Sequence, residues 1–239
     1  METNLKAWQR GIKDGIPISL SYFAVSFTFG IIAKQAGLTP FQSVLMSVTN
    51  FTSAGQFAGL TLISASAAFL EMAVTQLIIN SRYILMSFTL SQKINRKTSL
   101  FHRMVMAFGI SDEIFGVSMA VNGPLNPYYT YGLMSIALPG WALGTFFGVV
   151  SGDILPSRMI SALSIALYGM LLAVIIPPAK GNKILSVLIV VSMMASLLFT
   201  RLPILHMISS GVKIILLTIL IAGIAAALFP VKEKSSHEG

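Results

Sequence analysis

Eight apolar runs, each near the roughly 20 residues that a helix needs to cross a bilayer, divide almost the whole chain. They cover residues 17 to 33, 41 to 64, 68 to 91, 101 to 121, 131 to 151, 158 to 178, 184 to 200 and 211 to 229. Charged residues are 10% of the composition, against about 25% in soluble domains, and mean hydropathy is +0.81. A water-soluble globule is therefore excluded. In lipid the backbone must satisfy its own polar groups, and runs of this length do so as helices. The expected fold class is an all-α polytopic membrane protein.

The breaks between runs fall at Gly37 and Pro40, residues 122 to 127, Gly152 to Pro156, Pro177 to Gly181, and Pro203. Residues 1 to 16 carry Lys6, Arg10 and Lys13 and lack the apolar core and cleavage site of a signal peptide. Leu5, Trp8, Ile12 and Ile16 recur at helical steps, which predicts a cytoplasmic amphipathic helix anchored by Trp8. Residues 17 to 229 then form a single transmembrane transport domain, and 230 to 239 a polar tail. The net charge of +8 lies mostly between apolar runs, which reads as membrane orientation and not as a nucleic-acid surface.

Lys and Arg accumulate on the cytoplasmic side of membrane proteins. With eight full crossings and the N-terminus inside, leaving out Arg82, seven fall inside and eight outside. If 41 to 64 and 158 to 178 instead enter and leave on one side, twelve are inside and Lys34, Arg201 and Lys213 remain outside. The expectation is six full spans and two re-entrant or broken segments. Phe27 to Ile32 (FTFGII) also resembles Thr145 to Val150 (TFFGVV), each followed by a Gly and Pro break. With this topology the halves, 17 to 121 and 131 to 229, are expected to form an inverted repeat, an architecture of secondary transporters.

Polar residues cluster where lipid would not tolerate them. Ser47, Thr49, Asn50, Thr52, Ser53, Gly55 and Gln56 sit at the centre of one run, as expected of a broken helix whose opened backbone meets a substrate. Arg82 precedes the basic loop by about ten residues and Asp112 and Glu113 follow it by about ten, which puts all three roughly 15 Å from one membrane surface. A lone charge at that depth is costly, so Arg82 is expected to pair with one of the two acids. Adjacent helical residues differ by about 100°, which leaves the other acid free to face a cavity and carry a proton. Asn80 shares a face with Gln76 and can join this network, Glu71 is expected at the interface, and Trp141 is either a cavity wall or a packed or lipid-facing residue.

Pro17, Phe29-Gly30, Ala36-Gly37-Leu38, Phe51 through Gln56-Phe57, Asn80-Ser81-Arg82-Tyr83, Ser111-Asp112-Glu113-Ile114-Phe115 and Trp141-Ala142-Leu143-Gly144-Thr145 occur in that order. With these motifs the chain resembles the AzlC family of branched-chain amino acid permeases, from about residue 11 to 229. The resemblance implies a multi-pass protein of the bacterial inner membrane that exports Val, Leu and Ile, with Met at the edge of the range, together with a small AzlD-type membrane partner. The chain departs from the family pattern at Thr52-Ser53, where Ala-Gly is usual, and at Tyr83, where His is frequent. Both departures bear on substrate choice.

The functional expectation is thus a transporter and not an enzyme. The chain has no Gly-x-x-x-x-Gly-Lys motif for a nucleotide and no Gly-x-Ser-x-Gly elbow. No cofactor or metal is expected: Cys is absent, and the three His, at 102, 206 and 237, have no ligand spacing. Energy would come from an ion gradient, with H⁺ as the candidate ion. Asn50, Thr52, Ser53, Gly55, Gln56 and Asn80 are the expected substrate contacts, and Arg82, Asp112 and Glu113 the charge network. The alternatives are a passive channel and a transporter for another small neutral solute.

Overall fold

A computed structural model describes residues 3–152, 172, 176, 179–201 and 210–229. The described residues are helical apart from turns and a two-residue parallel bridge between Ile94 and Leu125. Among the described residues two helices are long and apolar enough to cross a membrane, α1 (Asn4–Gln35) and the later Pro127–Ser151. Between them lie six pieces of 9 to 12 residues, each about half the length a crossing needs. The sequence runs at 41 to 64, 68 to 91 and 101 to 121 are each broken near their middle. The expected segment at 158 to 178 and the tail from 230 lie outside the described residues.

The long helices pack along their whole length, and glycine permits it. A Cβ at Gly132 would strike the Trp8 carbonyl and the Gly11 Cα, one at Gly140 the Ser19 backbone, one at Gly144 the Phe23 backbone and one at Gly148 the Phe27 backbone. The four partners 11, 19, 23 and 27 are each 121 residues behind. A constant offset means that the two helices run parallel. Small residues at four-residue spacing let backbones touch, which replaces hydrophobic driving force with dispersion in lipid. Asn126 caps the second helix by accepting from Tyr128 N at 3.0 Å, and it donates to Asn4 Oδ1 at 3.1 Å, so both helices start at one end of the molecule. The FTFGII and TFFGVV stretches consequently lie side by side in the same direction. The inverted orientation expected of them is not what the chain adopts: shared small residues make them a packing pair.

From the far end of α1 the chain enters α2 (Pro40–Thr49), opened by a capping box in which Thr39 and Gln42 satisfy each other's backbone N–H groups, with Pro40 in the first turn. It stops at Asn50. Ser53, at φ +49°, turns the chain into α3 (Ala54–Ser64), which runs back: Leu60 and Met46 meet together at Phe29 and Ala33 near the far end of α1. Residues 41 to 64 thus form a hairpin of half-helices, as the polar centre of that run leads one to expect.

The next pieces are α4 (Phe69–Asn80) and α5 (Arg82–Lys93), separated only by Ser81, and they carry the chain from α3 to the near end. There α6 (Leu100–Phe108) and α7 (Asp112–Ala120) make a second hairpin. Its beginning is tied by Arg103 Nη2 donating to Asn95 O at 3.0 Å, and its end by Lys93 Nζ donating to Met119 O and Leu125 N donating to Lys93 O at 2.8 Å. Both ends lie beside residues 93 to 95, so 101 to 121, expected as a full span, folds back. Gly109 ends one helix, and Ser111 starts the next by accepting from Ile114 N at 3.2 Å. The chain then enters α8 (Pro127–Ser151). Two further helices, α9 (Lys183–Arg201) and α10 (Ser210–Leu228), pack on each other, and α10 lies against α3 and α4.

Candidate functional site

The tips of the two hairpins and the α4/α5 break converge at the middle of α1. Arg82, the first residue of α5, donates from Nη1 to Asp112 Oδ2 at 2.5 Å. The pair is reachable, with side-chain exposures of 38% and 30%. Glu113, one position on, points elsewhere: its Oε2 lies 2.6 Å from the Tyr22 hydroxyl, which is also 2.6 Å from Ser111 Oγ. Asp112 and Glu113 occupy the first turn of α7, where the helix dipole favours negative charge. The two acids thus point apart, with Asp112 taking the guanidinium as expected of one of them, and Glu113 meeting a phenol in place of the expected cavity.

On the other tip, Asn50 Oδ1 accepts from Thr52 Oγ1 at 2.8 Å, which holds the Asn50–Ser53 turn. Tyr83 Oη reaches toward Thr52 O at 3.5 Å and accepts from Arg82 Nη2 at 3.4 Å. Thr52 and Tyr83, two positions at which the chain departs from the pattern it resembles, thus touch each other. Gly55 O accepts from Gln76 Nε2 at 2.7 Å, and Gln76 Oε1 accepts from Asn80 Nδ2 at 3.1 Å. A Cβ on Gly55 would meet Thr52 Oγ1, Gln76 and Asn80, so α4 approaches as closely as it does because glycine stands there. No side chain caps the N-terminus of α3, which leaves the positive end of its dipole open at the tip.

Two polar atoms at the break are buried and have no hydrogen-bond partner, Asn80 Oδ1 and Arg82 Nε. One can only accept and the other can only donate. Each unsatisfied group costs about 1 to 3 kcal/mol, a cost that a ligand bringing a donor and an acceptor would remove.

Gln56, expected to face a substrate, is placed in the scaffold instead. It is fully buried, accepts from Trp141 Nε1 at 2.9 Å and donates to Ser47 Oγ at 3.1 Å. Ser47 shares a 2.7 Å hydrogen bond with Thr145, whose hydroxyl donates to Trp141 O at 3.1 Å. This closed ring clamps α2 and α3 to α8. The same clamp makes Trp141 a packed residue, 1% exposed, rather than a cavity wall. Tyr22, which the sequence did not single out, is 2% exposed and packs edge-on against Phe51 and Trp141, with ring centroids 5.5 and 5.4 Å away. Its one signal was a hydroxyl on the buried face Ile18, Tyr22, Val25, Phe29, where a phenol needs a polar partner.

Residues 17–155 match the AzlC family model, described as AzlC protein, and every residue of this junction lies within that range. The chain belongs to the AzlC family. It is 33% identical over 179 residues to an uncharacterized membrane protein of Archaeoglobus fulgidus, covering 74% of this chain and 78% of the relative. It is 28% identical over 150 residues to the inner membrane protein YgaZ of Escherichia coli, 61% of each chain, and 26% identical over 156 residues to an uncharacterized membrane protein of Helicobacter pylori, 64% of this chain and 68% of that one. No solved structure matches it. This AzlC chain is accordingly a membrane protein whose described residues are helical.

Proposed function

We propose that the chain exports branched-chain aliphatic amino acids, Val, Leu and Ile with Met at the edge of the range, from a bacterial cell through the inner membrane. The observation that carries this reading is the pair of unpartnered atoms, Asn80 Oδ1 and Arg82 Nε, at the break of α4 and α5. A zwitterion has an ammonium for the first and a carboxylate for the second. The uncapped α3 N-terminus adds positive potential on the carboxylate side. Asn50, Thr52, Ser53 and Gly55 shape the wall next to it. One methylene changes binding by only about 1 to 3 kcal/mol, so discrimination among aliphatic side chains is soft.

The near end is assigned to the cytoplasm. Leaving out Arg82, seven of the eight Lys and Arg between residues 3 and 152 lie at or near it, and Lys34 lies at the far end. In that orientation α1 and α8 cross outward, α4 and α5 together cross inward, α2–α3 enters from outside and α6–α7 from inside. Two half-helix hairpins from opposite faces, with tips at mid-depth, suit a site opened to each side in turn. Glu113, whose partner is a phenol and not a cation, is the acid that carries a coupling proton, while Asp112 stays ionised against Arg82. A small AzlD-type membrane protein is the proposed partner.

Purified chain and partner in vesicles loaded with labelled leucine test the reading. Efflux that follows an imposed proton gradient and is competed by valine and isoleucine supports it. No movement of any aliphatic amino acid under any gradient of H⁺ or Na⁺ ends it.

A further inference from the structure

Tyr22 stands between the two hairpin tips. Its hydroxyl has one proton and two oxygen neighbours at 2.6 Å, Glu113 Oε2 and Ser111 Oγ, both on the α6–α7 hairpin. Its ring packs on Phe51, at the tip of the α2–α3 hairpin, and on Trp141, which is hydrogen-bonded to Gln56 of α3. All three rings are buried, and Phe51 and Trp141 also pack edge-on at 6.0 Å. Tyr22 thus touches both tips directly, beside the second connection that runs from Thr52 through Tyr83 and Arg82 to Asp112.

We propose that Tyr22 is the positioning residue that transmits protonation of Glu113 to the α2–α3 tip; this rests on Glu113 being the coupling acid. An ionised Glu113 can only accept, so Tyr22 donates to it. When Glu113 takes a proton from the aqueous side, the carboxylic acid donates to Tyr22 Oη, and the Tyr22 hydrogen turns to Ser111 Oγ. No bond other than O–H is made or broken, and one proton enters. The neutral acid no longer holds the phenol by charge, and a charge-assisted hydrogen bond of roughly double strength becomes a neutral one. The Tyr22 ring is then released from one fixed position against Phe51 and Trp141.

The other groups with charge around Glu113 are Asp112 beside it and Arg82 and Tyr83 from α5. Arg82 and Asp112 neutralise each other, and Tyr83 leans on Arg82. Phe51 and Trp141, which face the same space from α2–α3 and α8, do not titrate.

The chain has two tryptophans, Trp8 and Trp141. Trp8→Phe leaves a single emitter packed on Tyr22, in a protein that needs no substrate to report. In lipid nanodiscs its emission is expected to titrate reversibly with pH. Tyr22→Phe keeps the ring and removes the hydroxyl, and Glu113→Gln keeps the shape and removes the charge; each is expected to abolish the titration while the folded yield holds. A flat emission in the Trp8→Phe protein overturns the proposal. So does an unchanged titration in either variant, and if Tyr22→Phe fails to fold, the Glu113→Gln arm alone decides. Absence of amino acid movement in vesicles would end the transport reading without touching this result.

Discussion

Arg82 and Asp112 meet at 2.5 Å across thirty residues of chain, the one opening α5 after the Ser81 break and the other opening α7 after the Ser111 cap. The contact joins two helix starts whose residues also share one hydrophobic cluster, with Tyr83 and Met86 of α5 and Ile114 and Phe115 of α7. Removing one partner of a fully buried pair costs about 3 to 5 kcal/mol, and with about a third of each side chain exposed the cost here is nearer 2 kcal/mol. Arg82→Met alone is expected to lower folded yield and thermal stability in detergent, and Arg82→Met with Asp112→Leu to restore much of both. Equal loss in the single and double variants would show that the pair contributes nothing.

Because α8 runs parallel to α1, both helices end on the same side, which the proposed orientation places outside the cytoplasm. The chain has no cysteine, so single introduced thiols report cleanly. In intact cells Ser151→Cys is expected to react with an impermeant thiol reagent, and Asn95→Cys only after permeabilisation. A reversed pattern would mean that α8 crosses in the other direction.

Packing of α1 on α8 depends on the absence of side chains. Gly144→Leu puts a side chain into the Phe23 backbone, whereas Gly116→Ala meets nothing within 4 Å. The first is expected to abolish a folded product on size exclusion. The second is expected to be neutral or to gain up to about 1 kcal/mol from helix propensity.

Gln56 and Asn80 separate scaffold from site. Gln56→Leu leaves the buried Trp141 Nε1 without an acceptor and Ser47 with Thr145 alone, at about 1 to 3 kcal/mol for the unpaired N–H, and is expected to lower Tm. Asn80→Ala removes the unpartnered Oδ1 acceptor together with the Nδ2 donor to Gln76 Oε1, and is expected to raise the KM for exchange with a smaller loss of Tm than Gln56→Leu. The opposite assignment of effects would exchange the roles of the two residues.

The hairpin at 41 to 64 was legible because Asn50, Thr52 and Ser53 are polar in the middle of an apolar run. The one at 101 to 121 was not, because only Gly109 and Ser111 mark it, and acids next to Arg82 read equally well as an ion pair inside a continuous helix. Charge could not decide, since moving the second fold-back from 158–178 to 101–121 changes the side of Arg158 alone. Matched depth did place Arg82 with the acids. Choosing Asp112 over Glu113 needed the start of α7, and seeing Tyr22 needed the parallel α1–α8 pair that brings α1 to the hairpin tips. Spacing groups Gln56, three residues from Ser53, with the tip, whereas its helix face turns it toward Trp141.

Uphill movement of leucine by the reconstituted chain with its small partner, measured against the proton gradient in the native protein and in Glu113→Gln, tests the central claim most directly. The account predicts gradient-driven accumulation that Glu113→Gln abolishes. Accumulation undiminished in Glu113→Gln, or none in the native protein under any ion gradient, would contradict it.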